Sequence, residues 1–229
     1  MKALRGPWLF CRSRQGLALL PLLMAHAAVL TLMPAGPIEV PMREGLGIAL
    51  FPLVVALAPA LVGLACFSAM PQVEGRSPFL RRARALWWLG MWAAFALVGG
   101  VVAVATGASP VVGYFGEDGS ALTVTALSDS AVLVALRNIS LVMAISSLTL
   151  VRFGRDSSWA PALLLLGISA VFGTDPRTGD AEAWALLQRP ATEPAPLLIT
   201  VALTALVGPE AVDGMMEVLV YCVDWLCLV

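Results

Sequence analysis

Long uncharged apolar runs alternate with short polar breaks along this chain. Gln15 to Ile38, Gly45 to Met70 and Ala85 to Gly116 contain no Asp, Glu, Lys or Arg. About 20 apolar residues suffice for a helix to cross a hydrocarbon core about 30 Å thick, so each run predicts one spanning helix. Pro34, Gly36, Pro37 and Pro41 separate the first two runs, and Pro71 to Pro78 separates the second from the third, as turn-forming residues do. Beyond Glu117-Asp118-Gly119 the chain is apolar again from Ala121 to Val151, interrupted by Asp129 and Arg137. This pattern predicts a fourth span over Ser130 to Val151, with Ala121 to Asp129 as its outer lead-in. Trp159 to Gly173 predicts a short fifth span, and Pro196 to Val207 opens a sixth. The tail Met215 to Val229 is apolar but carries Glu217 and Asp224, and its placement is left unassigned. The fold class expected is therefore an all-α integral membrane protein, a bundle of about six transmembrane helices. A cytoplasmic segment (1–14) precedes the transmembrane domain (15–208), and a C-terminal segment (209–229) follows it.

Composition agrees with the pattern. Of 229 residues, 59% are hydrophobic and 13% charged, about half the charge of an ordinary soluble domain. The net charge of −1 offers no field for nucleic acid. Ten of the fourteen basic residues lie in three segments that fall on one side if the spans alternate. These are Lys2, Arg5, Arg12 and Arg14; Arg76, Arg81, Arg82 and Arg84; and Arg152 and Arg155. Basic residues near span ends stay in the cytoplasm, so the N-terminus is expected inside, and the first span reads as an uncleaved signal-anchor. Arginine supplies 13 of those 14 residues, beside abundant Gly and Pro. That points to a GC-rich bacterial genome and to the bacterial cell membrane.

Candidate chemistry is sparse. The sequence holds no phosphate loop, dinucleotide fingerprint or zinc-protease helix. Cys11, Cys66, Cys222 and Cys227 form no close metal or redox pair. His26, the one histidine, has no nucleophile or carboxylate within a helical turn and reads as a packed residue bonded to a neighbouring helix. No enzyme, cofactor or metal is expected. The polar residues of the fourth span carry more information. A charge at the bilayer centre costs ~2.5–3.5 kcal/mol on insertion scales, so such residues usually face protein or water. Asp129, Arg137 and Asn138 are therefore a candidate intramembrane polar site. One reading is a polar pathway; the other is an interfacial stretch, Ala121 to Leu136, with Arg137 at a helix end. Pro52 and Pro59 are expected to bend the second span, and Ala56, Ala60 and Gly63 form a small-residue stripe able to admit a close neighbour.

Several short motifs resemble small permease-like membrane proteins of high-GC Gram-positive bacteria that accompany ABC ATPases, relatives of type-2 ABC exporters. The resembling stretches are Ser68-Ala69-Met70-Pro71-Gln72-Val73-Glu74, then Arg81-Arg82-Ala83-Arg84, Leu136-Arg137-Asn138 and Trp159-Ala160-Pro161. Phe172-Gly173 and Ala183-Trp184-Ala185-Leu186-Leu187-Gln188 complete the set. The resemblance covers roughly Leu20 to Gly208 and departs from the family at the acidic tail. It implies a permease subunit that pairs with a second permease subunit, alike or different, in the bilayer and is driven by a separate ATPase. It also implies an ATPase-docking loop carrying Glu74, Arg76, Arg81, Arg82 and Arg84, and a membrane-dipping helical segment at Ala181 to Gln188. The competing reading is a non-transporting membrane anchor or immunity protein.

Overall fold

The computed structural model describes residues 16–33, 38–39, 46–48, 50–62, 64, 78–106, 111–115, 121–126, 130–174, 181–189 and 193–206. Among these described residues, six α-helices form the body: α1 (Gly16–Leu32), α2 (Phe51–Leu57), α3 (Pro78–Thr106), α4 (Ala131–Phe153), α5 (Ala160–Phe172) and α6 (Pro194–Leu206). Prolines punctuate them. Pro78 and Pro194 are the first residues of α3 and α6, and Pro52 and Pro161 the second residues of α2 and α5. The missing N–H costs nothing in a first turn, whose donors lack intrahelical partners. Pro59 ends α2 and opens a 3-10 turn, Pro59–Leu61. Of the two prolines expected to bend the second span, Pro52 therefore starts it and Pro59 alone breaks it. At the other extreme Gly154 stops α4 with φ 79° and an N–H to the Leu150 carbonyl, 3.0 Å away. That backbone conformation favours glycine.

The body is helical as expected, but of the six expected spans only two helices among the described residues reach spanning length, and the second run yields only the seven-residue Phe51–Leu57. The connections differ as well. Ile38–Glu39 (β1), Leu46–Ile48 (β2), Val111–Phe115 (β3) and Ala121–Ala126 (β4) pair antiparallel, in sequence order, as one small sheet. The third apolar run thus leaves the helix at Thr106, and the expected lead-in to the fourth span is a strand. Gly107 and Pro110 come next in the sequence, residue types that do not prolong a helix. The Val, Thr, Tyr and Phe content of β3 and β4 suits a pleated ribbon. Because β2 pairs with β3, the α1–α2 and α3–α4 connections leave the bundle at the same end. A second correction concerns the basic stretch after the second run. α3 begins at Pro78, so Arg81, Arg82 and Arg84 belong to its first turns and not to a loop.

α2 and α4 lie at the centre. Phe51, Val55, Ala58 and Val62, on α2 and the turn after it, join Leu30 of α1, Met91 and Phe95 of α3, and Ile139 and Met143 of α4. The opposite face, Leu53, Ala56 and Ala60, packs with Leu141 and Val142 of α4, Ala162 and Leu166 of α5, and Leu187. Of the small-residue stripe, Ala56 and Ala60 are fully buried, and Gly63 lies outside the described residues. Gly99 brings α3 close: a Cβ there would stand 2.9 Å from Val55 Cγ2 and 3.3 Å from Ile139 Cδ1.

Among the described residues, two helices are long and apolar enough to cross a membrane, over Ala83–Thr106 and Ala131–Leu150. Only 28% of the apolar window of the first is buried, unlike the core helix of a soluble protein. Its outward residues include Leu97, Val101 and Val104, and the bundle also exposes Met24, Leu32, Leu164 and Leu198. Water penalises such a surface, whereas lipid tails do not.

A polar clasp as the candidate functional site

Arg137 and Asn138 stand side by side in the second turn of α4, 4% and 0% exposed. Ser130 precedes the helix in an extended conformation, so Arg137 is well inside the helix. This removes the alternative in which it marked a helix end. The guanidinium donates from Nε and Nη2 to Asn138 Oδ1 at 3.0 and 2.9 Å. Nη1 donates to the Arg189 carbonyl at 2.6 Å, and Nη2 to the Leu187 carbonyl at 3.1 Å. Asn138 Nδ2 donates to the carbonyls of Leu187 at 2.8 Å and Pro52 at 2.7 Å. One pair of side chains thus ties α4 to the first turn of α2 and to the segment between α5 and α6. The logic is electrostatic: a buried charge is costly unless its hydrogen-bonding capacity is met, and charge-assisted bonds are the stronger kind.

The segment 181–189 is a run of turns, not the helix expected over Ala181 to Gln188. Ala185 and Leu187 are fully buried. Gln188 Nε2 donates to the Ser169 carbonyl at 2.7 Å, and Gln188 Oε1 accepts from Thr174 Oγ1 at 2.9 Å. The Glu182 N–H meets the Gly173 carbonyl at 2.8 Å. A Cβ at Gly173 would collide with the Ser169 carbonyl oxygen and lie 2.7 Å from Gln188 Oε1, so the segment can close on α5 only over a glycine. At the segment's end Arg189 Nε meets Glu193 Oε2 at 2.8 Å.

Further polar ties run along α4. Trp92 Nε1 donates to Ser140 Oγ at 2.8 Å, Trp88 Nε1 to Ser147 Oγ at 3.1 Å, and Ser146 Oγ to the Ala60 carbonyl at 2.9 Å. Sequence reasoning did not single these out, although the seven-residue spacing of Ser140 and Ser147 and the four-residue spacing of Trp88 and Trp92 each mark one helical face. His26 is 4% exposed and meets Phe95 edge-on at 5.7 Å. Its Nε2 has no hydrogen-bond partner among the described residues, and the ring is packed, as expected, against the neighbouring helix α3 through Phe95.

Of the remaining sequence candidates, Asp129, Glu74 and Arg76 lie outside the described residues. Arg81, Arg82 and Arg84 are on α3, far along the bundle axis from the clasp. The structure joins Arg137 to Asn138 and does not bring the arginines of α3 to them. Comparisons with known protein families, with curated proteins and with solved structures found no match.

Proposed function

We propose that the chain is a multi-pass membrane protein acting as the permease subunit of an ABC-type exporter, with ATP hydrolysis in a separate subunit. The observation that carries this reading is the segment 181–189. It does not loop away between α5 and α6 but folds back into the end of the bundle and is gripped by Arg137 and Asn138. The resembling permeases have a membrane-dipping segment at this place between their fifth and sixth spans. The outward apolar residues of α1, α3, α5 and α6 and the shared end of two connections support a six-span bundle. The orientation follows the arginine distribution, with the N-terminus cytoplasmic. The other reading, a non-transporting anchor, draws support from the same clasp, because Arg137 and Asn138 donate to main-chain carbonyls of Leu187, Arg189 and Pro52 and so act as a structural tie.

Affinity purification of the full chain from its own membranes in mild detergent separates the two. A permease brings down an ATPase subunit whose activity rises when the two are reconstituted together. Reversal of the docking stretch, E74R with R81E, should abolish recovery while membrane insertion is unchanged. Recovery of the chain without any ATPase, from membranes that contain candidate ATPases, would overturn the permease reading and leave the anchor.

A further inference from the structure

The α3–α4 contact brings together two basic stretches about 70 residues apart in sequence. Trp88 of α3 and Ser147 of α4 are joined at 3.1 Å, and Trp92 is joined to Ser140, so the helices run antiparallel. Arg84 lies four residues beyond Trp88 toward the start of α3, and Arg152 five residues beyond Ser147 toward the end of α4. At 1.5 Å per residue these are displacements of about 6 and 7.5 Å in the same direction. Arg84 and Arg152 therefore stand level at one end of the bundle. The turn Arg155–Ser157, next along the chain, stays there because Thr149 Oγ1 donates to the Ser158 carbonyl. Arg81 and Arg82 are on the first turns of α3 at that same end. Asp156 is the one acidic residue in the described part of these stretches.

We propose that this end binds anionic phospholipid headgroups, with Arg84 and Arg152 from the two helices as its basic centre. Depth selects lipid over a soluble acidic partner. α3 has 29 residues, about 43 Å of helix against a core of about 30 Å, and its membrane-length stretch, Ala83–Thr106, carries Arg84 at its very edge. The arginines fall in the turn or two where the helix passes through the headgroup layer. Trp87 and Trp88 follow one turn deeper, and Trp159, 37% exposed, stands beside the α4–α5 turn. Indole rings favour that level of the interface, and guanidinium groups bind phosphate oxygens in pairs. The proposal requires membrane insertion only and does not rest on the transport reading.

The test uses the full chain in a neutral detergent, titrated with dioleoylphosphatidylglycerol or dioleoylphosphatidylcholine and read by native mass spectrometry. Phosphatidylglycerol should be retained preferentially, and raising the volatile salt ammonium acetate from about 50 to about 500 mM should weaken it. A basic residue near an anionic leaflet contributes about fivefold in affinity. R84Q/R152Q should therefore lose roughly 25-fold, and R84K/R152K should keep most of the binding. Equal binding of the two lipids, or indifference of wild type to salt, would overturn the proposal even if the glutamine variant failed to fold. Full retention by a folded R84Q/R152Q would overturn it as well. Displacement of phosphatidylglycerol by millimolar inorganic phosphate would assign the site to a soluble anion, and displacement by micromolar polyglutamate to an acidic protein; either result excludes the lipid.

Discussion

α3 and α4 are alike in length and hydropathy and opposite in use. Of the apolar windows, 61% of that in α4 is buried against 28% of that in α3. α4 touches α2, α3, α5 and α6 and turns its polar residues inward, where Arg137, Asn138 and Ser146 find carbonyl oxygens on other segments. α3 meets its neighbours through Gly99, Phe95 and its tryptophans and presents Leu97, Val101 and Val104 outward. Hydropathy thus identifies both as candidate membrane helices, but the inward polar residues make one of them the hub. In lipid, apolar contact alone gives helices little reason to choose partners, and close packing and hydrogen bonds decide.

The contrast can be broken at four places, each read by thermal unfolding in detergent. Asn138→Leu should do most damage, about 3–5 kcal/mol, because it strips the guanidinium of an acceptor and leaves a buried charge short of partners. An unchanged midpoint would deny α4 its role as hub. Gly99→Ala should cost ~1–3 kcal/mol by overpacking against Val55. Gly90→Ala is its control on the same helix, with nothing within 4 Å of the added methyl. It should be neutral or gain up to about 1 kcal/mol from helix propensity, and a loss equal to that at Gly99 would mean that close approach is not what is being measured. Trp92→Phe keeps the ring and removes the bond to Ser140, worth ~0.5–1.5 kcal/mol. A double-mutant cycle with Ser140→Ala checks it, and strict additivity would show no coupling. Leu97→Ala, at a side chain 68% exposed, should stay within about 0.5 kcal/mol. A loss as large as that of Gly99→Ala would place a protein partner on this face.

The helical body was legible because uncharged runs announce themselves, and the helix bounds Ala131–Phe153 and Ala160–Phe172 fall close to the runs Ser130 to Val151 and Trp159 to Gly173. The strands were not, since hydropathy counts Val111 to Phe115 and Ala121 to Ala126 as readily toward a helix. The β-branched residues and the preceding Pro110 were the signal to weigh. Arg137 stood out as a charge in an apolar run, yet its grip could not be foreseen. Its partners at 187 and 189 are main-chain carbonyls, which every residue has and no letter specifies. The arginines of α3 and of the α4–α5 turn were read as topology signals, and only the helix pairing brings them level.

The sheet also sets an order of events during synthesis. β1 and β2 can form a hairpin as soon as both emerge, but β2 finds its second neighbour only when Gly113 and Tyr114 arrive. By then α2 and all of α3 have been made. Until that moment one edge of the hairpin is open to any other extended segment. Ribosomes stalled at the end of α3, Thr106, should therefore hold a chain whose first connection is accessible to protease. Stalling far enough on for β4 to emerge should protect it, as the ribbon closes strand by strand behind the growing chain.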